Sequence, residues 1–306
     1  MWFKNLMIYT FTDELKFDSE SLEKHLENGA FTPCNSQELS SYGWTSPLGK
    51  HGETLHHASN GFIMLCAKKE ERILPASVVK DFVSERVQTI EDEQGRKVRK
   101  KEREEIKEDV LMELTPKAFT RASTTYGMIM PEQGFLIVDC GSAKKADDFT
   151  GYLRKTIGSL PVKPVTVKDA PVALFTAWLD GKMEPPADIT IGEECELNAS
   201  EDSGGVVRCS KEPLLDSEEI RTHLKAGKFV VKLALEWQDS LSFVLDNELT
   251  VKKLRFGDTI MEKAAEDGSD SAAAEFDAQF TLQALEFAQF LPRLIEIFGG
   301  LQGDDN

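Results

Sequence analysis

The chain has 306 residues, with 36 Lys and Arg against 53 Asp and Glu, a formal net charge of −17 and 41% hydrophobic residues. That length predicts two domains, or one with a projecting element; no apolar run approaches the roughly 18 residues that span a bilayer, and the N-terminus carries no export leader, so a cytoplasmic protein is expected. The acidic total argues against a simple nucleic-acid binder, yet the deficit is uneven, since residues 1–180 hold 24 basic against 27 acidic residues and residues 181–306 hold 12 against 26.

In chain order, Trp2 to Phe11 reads as a strand and Ser19 to Glu27 as a helix with Ser19 or Ser21 as N-cap. The glycines and prolines between Phe31 and Leu55 mark loops, and Phe62 to Ala67 is a short buried strand. Pro75 to Leu114 is dominated by helix formers and predicts two helices joined near Asp92 to Gly95. The first has a face to bury in Val79, Phe82, Val83, Val87 and Ile90, whereas the second is polar nearly all round until Ile106 and is expected to project into solvent.

Thr124 to Met130 and Gly134 to Cys140 predict a hairpin, followed by a helix from Ala143 to Ile157 that Gly158 and Pro161 end. Leu160 to Pro171, with three prolines, is the candidate domain boundary. Gly181 to Gly205 predicts loops and short strands, Ser217 to Leu224 a helix capped by Asp216, and Lys228 to Trp237, Ser240 to Leu245 and Leu249 to Phe256 three antiparallel strands. Ala265 to Ala273 reads as an acidic linker before a Phe-rich amphipathic helix that serves core or dimer packing. Mixed rather than alternating strands and helices give an α+β class with antiparallel sheets.

Catalytic and metal motifs fail one by one. Gly43 through Gly49-Lys50-His51 has one residue too many for a phosphate loop, and His51 stands where a Ser or Thr would bind Mg²⁺. Ser142-Ala143-Lys144-Lys145 matches S-x-x-K without its companion motifs, so Ser142 reads as an N-cap whose side chain satisfies an orphan N–H. His51, Glu53, His56 and His57 lack the H-E-x-x-H spacing, and neighbouring strand residues point to opposite faces. Asp139 reads as a strand-end carboxylate. Cys34, Cys66, Cys140, Cys195 and Cys209 are scattered without a C-x-x-C pair and are expected to be buried thiols. No enzyme, cofactor, metal or small-molecule substrate is expected.

The strongest charge feature is Arg96 to Lys107, with seven basic and three acidic residues. On a helix Arg96, Lys100, Arg103 and Lys107 share one face that could track phosphates, with Lys97 beside them; equally, Lys100–Glu104 and Lys101–Glu105 could be ordinary i,i+4 pairs on a solvated helix. Beyond it, Lys117-Ala118-Phe119-Thr120-Arg121 sets an aromatic between cations. Phe119 is then either a core anchor or an exposed ring for stacking or subunit contact.

Several segments together resemble the RdgC family of bacterial recombination-associated proteins: Trp2-Phe3-Lys4-Asn5-Leu6, Phe31-Thr32-Pro33-Cys34, Cys66-Ala67-Lys68-Lys69-Glu70-Glu71-Arg72-Ile73-Leu74-Pro75, Val138-Asp139-Cys140-Gly141-Ser142-Ala143-Lys144-Lys145-Ala146, Gly158-Ser159-Leu160-Pro161-Val162 and Lys232-Leu233-Ala234-Leu235-Glu236-Trp237. They stand in the family's order over nearly the whole chain. The resemblance implies a non-enzymatic, nucleoid-associated protein that binds double-stranded DNA, and single strands besides, with little sequence preference. It implies a horseshoe-shaped subunit, a homodimeric ring with a basic hole, and restraint of RecA-mediated recombination. RecA is a further partner, and direct contact with it through the acidic C-terminal part is the alternative route to that restraint.

In that frame residues 1–74 with 115–163 form a central domain, 75–114 a projecting helical hairpin tip, 164–298 a C-terminal domain and 299–306 a disordered tail. The resemblance places Phe119 at the contact that closes the ring. Lys117, Arg121, Lys144, Lys145 and Lys211 match basic positions and are the expected phosphate contacts, with Arg96, Lys97, Lys100 and Arg103 as further candidates. Around Cys209-Ser210-Lys211-Glu212 the chain departs from the family pattern, having fewer basic or amide groups.

Overall fold

Runs of β-branched and aromatic residues are interspersed with segments of 3.6-residue periodicity, and the elements follow that pattern. A computed structural model describes residues 1–13, 19–199, 205–210, 214, 217–267 and 271–303. The elements are β1 (Met7–Phe11), α1 (Ser19–Asn28), β2 (Ser40–Thr45), β3 (His56–Ser59), β4 (Phe62–Arg72), α2 (Ala76–Gln94), α3 (Lys100–Leu114), β5 (Thr120–Met130), β6 (Phe135–Val138), α4 (Ala143–Ile157), β7 (Val162–Pro164), α5 (Pro171–Leu179), β8 (Ile189–Asn198), β9 (Val207–Ser210), α6 (Glu218–Lys225), β10 (Phe229–Trp237), β11 (Leu241–Asp246), β12 (Val251–Phe256), α7 (Asp258–Asp267) and α8 (Ala272–Ile297). The class is α+β with antiparallel sheets: seven strands in the order β2-β4-β5-β6-β1-β7 with β3 beside β4, and five in the order β12-β11-β10-β8-β9.

The chain divides into two compact units. The larger comprises residues 1–26, 46–66 and 125–306, and residues 160–171 lie inside it. In its largest core cluster α8 supplies Phe280, Ala284, Phe287, Leu291 and Leu294, a stripe at helical spacing. Trp237 and Phe243 of the five-stranded sheet meet Phe290 at ring-centroid distances of 5.4 and 5.0 Å. Asp188, just before β8, fixes α8 to the five-stranded sheet: Arg293 Nε and Nη2 donate to its two oxygens at 2.8 and 2.9 Å, and Trp237 Nε1 donates at 3.2 Å. The Arg293 guanidinium holds the Asp188 carboxyl down to about 2, against the weaker opposing push of burial. Near the C-terminus, Gln302 N–H donates to the Thr166 carbonyl at 2.9 Å.

The smaller unit comprises residues 27–45 and 67–124. Its helices α2 and α3 share a modest core of Val79, Val83, Ile106 and Val110, to which Val87 and Ile90 add partly buried surface. Gly95 ends α2 in a left-handed conformation at φ 64°, which a glycine adopts without a Cβ penalty. Phe82, expected on the buried face, is 39% exposed.

Several expectations need correction. Strand β1 starts at Met7, because Lys4 to Leu6 pair instead with β12: Leu6 N–H donates to Val251 O at 2.8 Å and Val251 N–H returns a bond at 3.0 Å. The loop expected between Phe31 and Leu55 contains β2. There Gly43 marks a close approach, since a Cβ on it would stand 2.5 Å from Phe31 Cα. Helix α5 was not expected; its Pro171 occupies the first turn, where the missing N–H costs nothing. The loops and short strands expected from Gly181 give way to the ten-residue β8. Helix α6 is capped by Ser217, whose side chain accepts from Ile220 N–H; Asp216 lies outside the described residues. Helix α7 enters what reads as the linker Ala265 to Ala273. Ser142 holds the N-cap position of α4, but its side chain makes no capping bond.

Candidate nucleic-acid interface

Strand β6 is buried along its length and ends at Val138, one residue before Asp139. The carboxylate accepts backbone N–H bonds from Lys4 at 3.0 Å and Asn5 at 2.9 Å, which ties the N-terminal segment to the β6 end. Burial pushes the Asp139 carboxyl up, and those two N–H donors pull against it. Four residues later α4 begins, and its buried Ala146, Phe149, Thr150 and Leu153 fix it in place. The first turn of α4 carries no carboxylate, and it exposes Lys144 and Lys145. Neither lysine has an ion-pair partner among the described residues.

A helix N-terminus is already positive through its orphan N–H groups and dipole, so two lysines there do nothing to stabilise the helix. Their charge adds to the dipole's field and is left for an outside anion. Gly141 brings further groups to the same place: a Cβ on it would lie 3.5 Å from Asn5 Oδ1 and 4.0 Å from Lys252 Cε. The exposed Lys4, whose N–H is held by Asp139, and Lys252, which pairs with Asp246, are further cations near this turn. Sequence reading missed both. The alternation of β12 hinted at Lys252, but its neighbourhood to Gly141 depends on the pairing of residue 6 with residue 251.

The outer face of the five-stranded sheet forms a groove of about 860 Å³ that also holds Arg208, Lys232, Lys252, Lys253 and Arg255. Most of this charge is answered locally. Arg208 and Lys232 converge on Glu196 at 2.9 and 3.0 Å, Lys253 meets Glu194 at 2.6 Å, and Lys252 meets Asp246 at 2.8 Å.

The smaller unit holds the other candidates. Arg96 precedes α3, so the expected four-residue stripe reduces to Lys100, Arg103 and Lys107 on the helix, all exposed. The Arg96 guanidinium forks onto Glu102 at 2.8 and 2.7 Å and holds that carboxyl below the usual range. Lys97 Nζ lies 2.9 Å from Glu91, which it holds down together with the Val98 N–H. Lys117 pairs with Glu113 at 3.0 Å, and Arg121 pairs with Glu71. Phe119 between them is 85% exposed, so it is not the core anchor that was one of its two readings. Its segment is held by backbone: Ile73 N–H donates to Phe119 O at 2.8 Å and Arg72 Nη1 donates to Ala118 O at 3.1 Å. Arg72, which also reaches Asn35 O and Glu38 O, was not singled out in the sequence. Lys211 lies outside the described residues.

The histidines go to separate partners, His56 to Glu23 at 2.5 Å and His57 to Asp277 at 2.8 Å. Among the described residues no group of three or more His, Cys, Asp or Glu is placed to hold a metal ion, and no helix is long and apolar enough to cross a membrane.

Comparison with known proteins gives a consistent result. A family model described as "Putative exonuclease, RdgC" matches residues 1–301. The recombination-associated protein RdgC of Pseudomonas aeruginosa PAO1 is 49% identical over 301 residues, covering 98% of both chains. The proteins of the same name from Pseudomonas fluorescens Pf0-1 and Aeromonas hydrophila are 48% and 47% identical, again over 98% of both chains.

Proposed function

Since the chain belongs to the RdgC family of recombination-associated proteins, we propose that it binds DNA through the phosphate backbone with little sequence preference, as a homodimeric ring that restrains RecA-mediated recombination. The observation that carries this reading is the head of α4. There two exposed lysines, neither with an ion-pair partner among the described residues, and a helix N-terminus stand together with no carboxylate in the turn. Such a site recognises phosphate by charge and N–H donors and carries no base-specific pattern.

The self-association half of the proposal is supported by the smaller unit. It exposes Phe119 at 85%, an aromatic ring whose cover by a second copy would remove apolar surface from water. A ring also reconciles an overall charge of −17 with DNA binding, because an acidic exterior and a basic lining more than about a Debye length apart are screened from each other.

The role is proposed to be non-catalytic, occupying DNA that a recombinase would otherwise use. The test is to incubate the full chain with unrelated linear duplexes and Mg²⁺, then assay both DNA integrity and RecA strand exchange. Equal binding to each duplex, intact DNA and suppressed exchange are expected. Shortened DNA would establish an exonuclease instead, and suppression that persists when the α4 lysines are reversed would favour direct contact with RecA.

A further inference from the structure

Cys195 and Cys209 are 14 residues apart in sequence, and the fold sets them directly opposite each other on neighbouring antiparallel strands, Cys195 on β8 and Cys209 on the edge strand β9. Directly paired residues on such strands have side chains on the same face and Cα atoms about 4.5–5.5 Å apart, inside the 4.4–6.8 Å range that a disulfide accepts. Cys195 belongs to the core cluster and Cys209 packs against it, while both also border the groove that Glu194, Glu196 and Arg208 line. Each thiol lies among the other's neighbours: burial, followed by the charge and hydrogen bond of Cys209, pushes the Cys195 thiol up to about 12. Both are reduced, Cys195 buried and Cys209 only half-buried. The difference sets an order of reaction, because an oxidant in solvent reaches Cys209 first and Cys195 stands behind it.

We propose that Cys195 and Cys209 are a redox modification site, a cross-strand dithiol that hydrogen peroxide converts to an intrachain disulfide. The Cys209 thiolate attacks one peroxide oxygen, the O–O bond breaks, and hydroxide leaves with Cys209 as the sulfenic acid. Cys195 sulfur then attacks the Cys209 sulfur, the S–O bond breaks, and the departing hydroxide takes the Cys195 proton as water. In sum two thiols and one peroxide give one disulfide and two waters, the sulfurs being oxidised and the peroxide reduced. The bridge ties the edge strand to the sheet.

The test treats the folded full chain with hydrogen peroxide and maps the peptides without reduction. The expected result is loss of two of the five thiols, a linked peptide pair containing Cys195 and Cys209, and full reversal by dithiothreitol. Cys195→Ser is expected to stop at a Cys209 sulfenic acid that dimedone traps, and Cys209→Ser to leave Cys195 as a thiol. Oxidation that falls on Cys34, Cys66 or Cys140 while the pair stays reduced would overturn the proposal. So would a link between two chains in place of one within the chain.

Discussion

Helices α3 and α4 have 15 residues each and carry four cations each, yet they face opposite ways electrostatically. In α3 six carboxylates accompany the cations, its buried side chains are only Ile106 and Val110, and the basic residues that flank it are tied to Glu91, Glu102 and Glu113. Helix α4 has two carboxylates, neither in the first turn, and four buried residues that hold its N-terminus in place. The comparison teaches that a basic run in a sequence measures local composition, whereas a phosphate site needs charge that the protein itself has not already answered.

The largest expected effect concerns the anchoring of α4. Phe149 is fully buried and so close to Gly127 that a Cβ there would stand 2.4 Å from its ring, so truncation opens a cavity that the strand cannot close. Phe149→Ala is expected to cost about 3–5 kcal/mol in urea unfolding, and Val110→Ala on α3 distinctly less. Equal losses would mean that the two helices are fixed alike.

Next comes binding. Lys144→Glu with Lys145→Glu is expected to lower duplex affinity by at least about tenfold at 0.1 M salt, as phosphate contacts are lost and repulsion is added. The matching change on α3, Lys100, Arg103 and Lys107 to Glu, is expected to do less in the same titration, because carboxylates already surround those positions. A larger effect from α3 would reverse the comparison.

A smaller effect separates a charge pair that serves the fold from charge left for a ligand. The Asp188 carboxyl sits at about 2 beside Arg293, below its ordinary value, so its contribution to stability is complete above about pH 4 and is lost as pH falls toward 2. Asp188→Asn is expected to reduce stability at neutral pH and to flatten its decline in that window, followed by unfolding at stepped pH, while leaving DNA affinity unchanged. A drop in affinity would place this pair with the binding charges.

Much of the scaffold was legible in the sequence. Gly158 punctuates α4, Gly95 separates α2 from α3, and period-two runs announce β10 to β12. Proline counts misled at Pro171, where a helix starts, and glycine at Gly43, where backbone approaches backbone inside a strand. The site was half legible: Lys144 and Lys145 stand out, but the approach of Lys252 to the turn before them depends on pairing across most of the chain. Compensation is equally non-local. Arg121 reads as a phosphate contact until Glu71, fifty residues earlier, meets it from the neighbouring strand. No local pattern encodes that partner.

The central claim, that the uncompensated head of α4 meets phosphate, is tested most directly by duplex affinity as a function of salt, for the intact chain and for the Lys144→Glu, Lys145→Glu variant. A dimer that neutralises about eight phosphates gives a slope of log K against log[salt] near −7, and removal of two lysines per subunit makes it shallower by about 3 to 4. A slope near zero, or the same steep slope in the variant, would contradict the account.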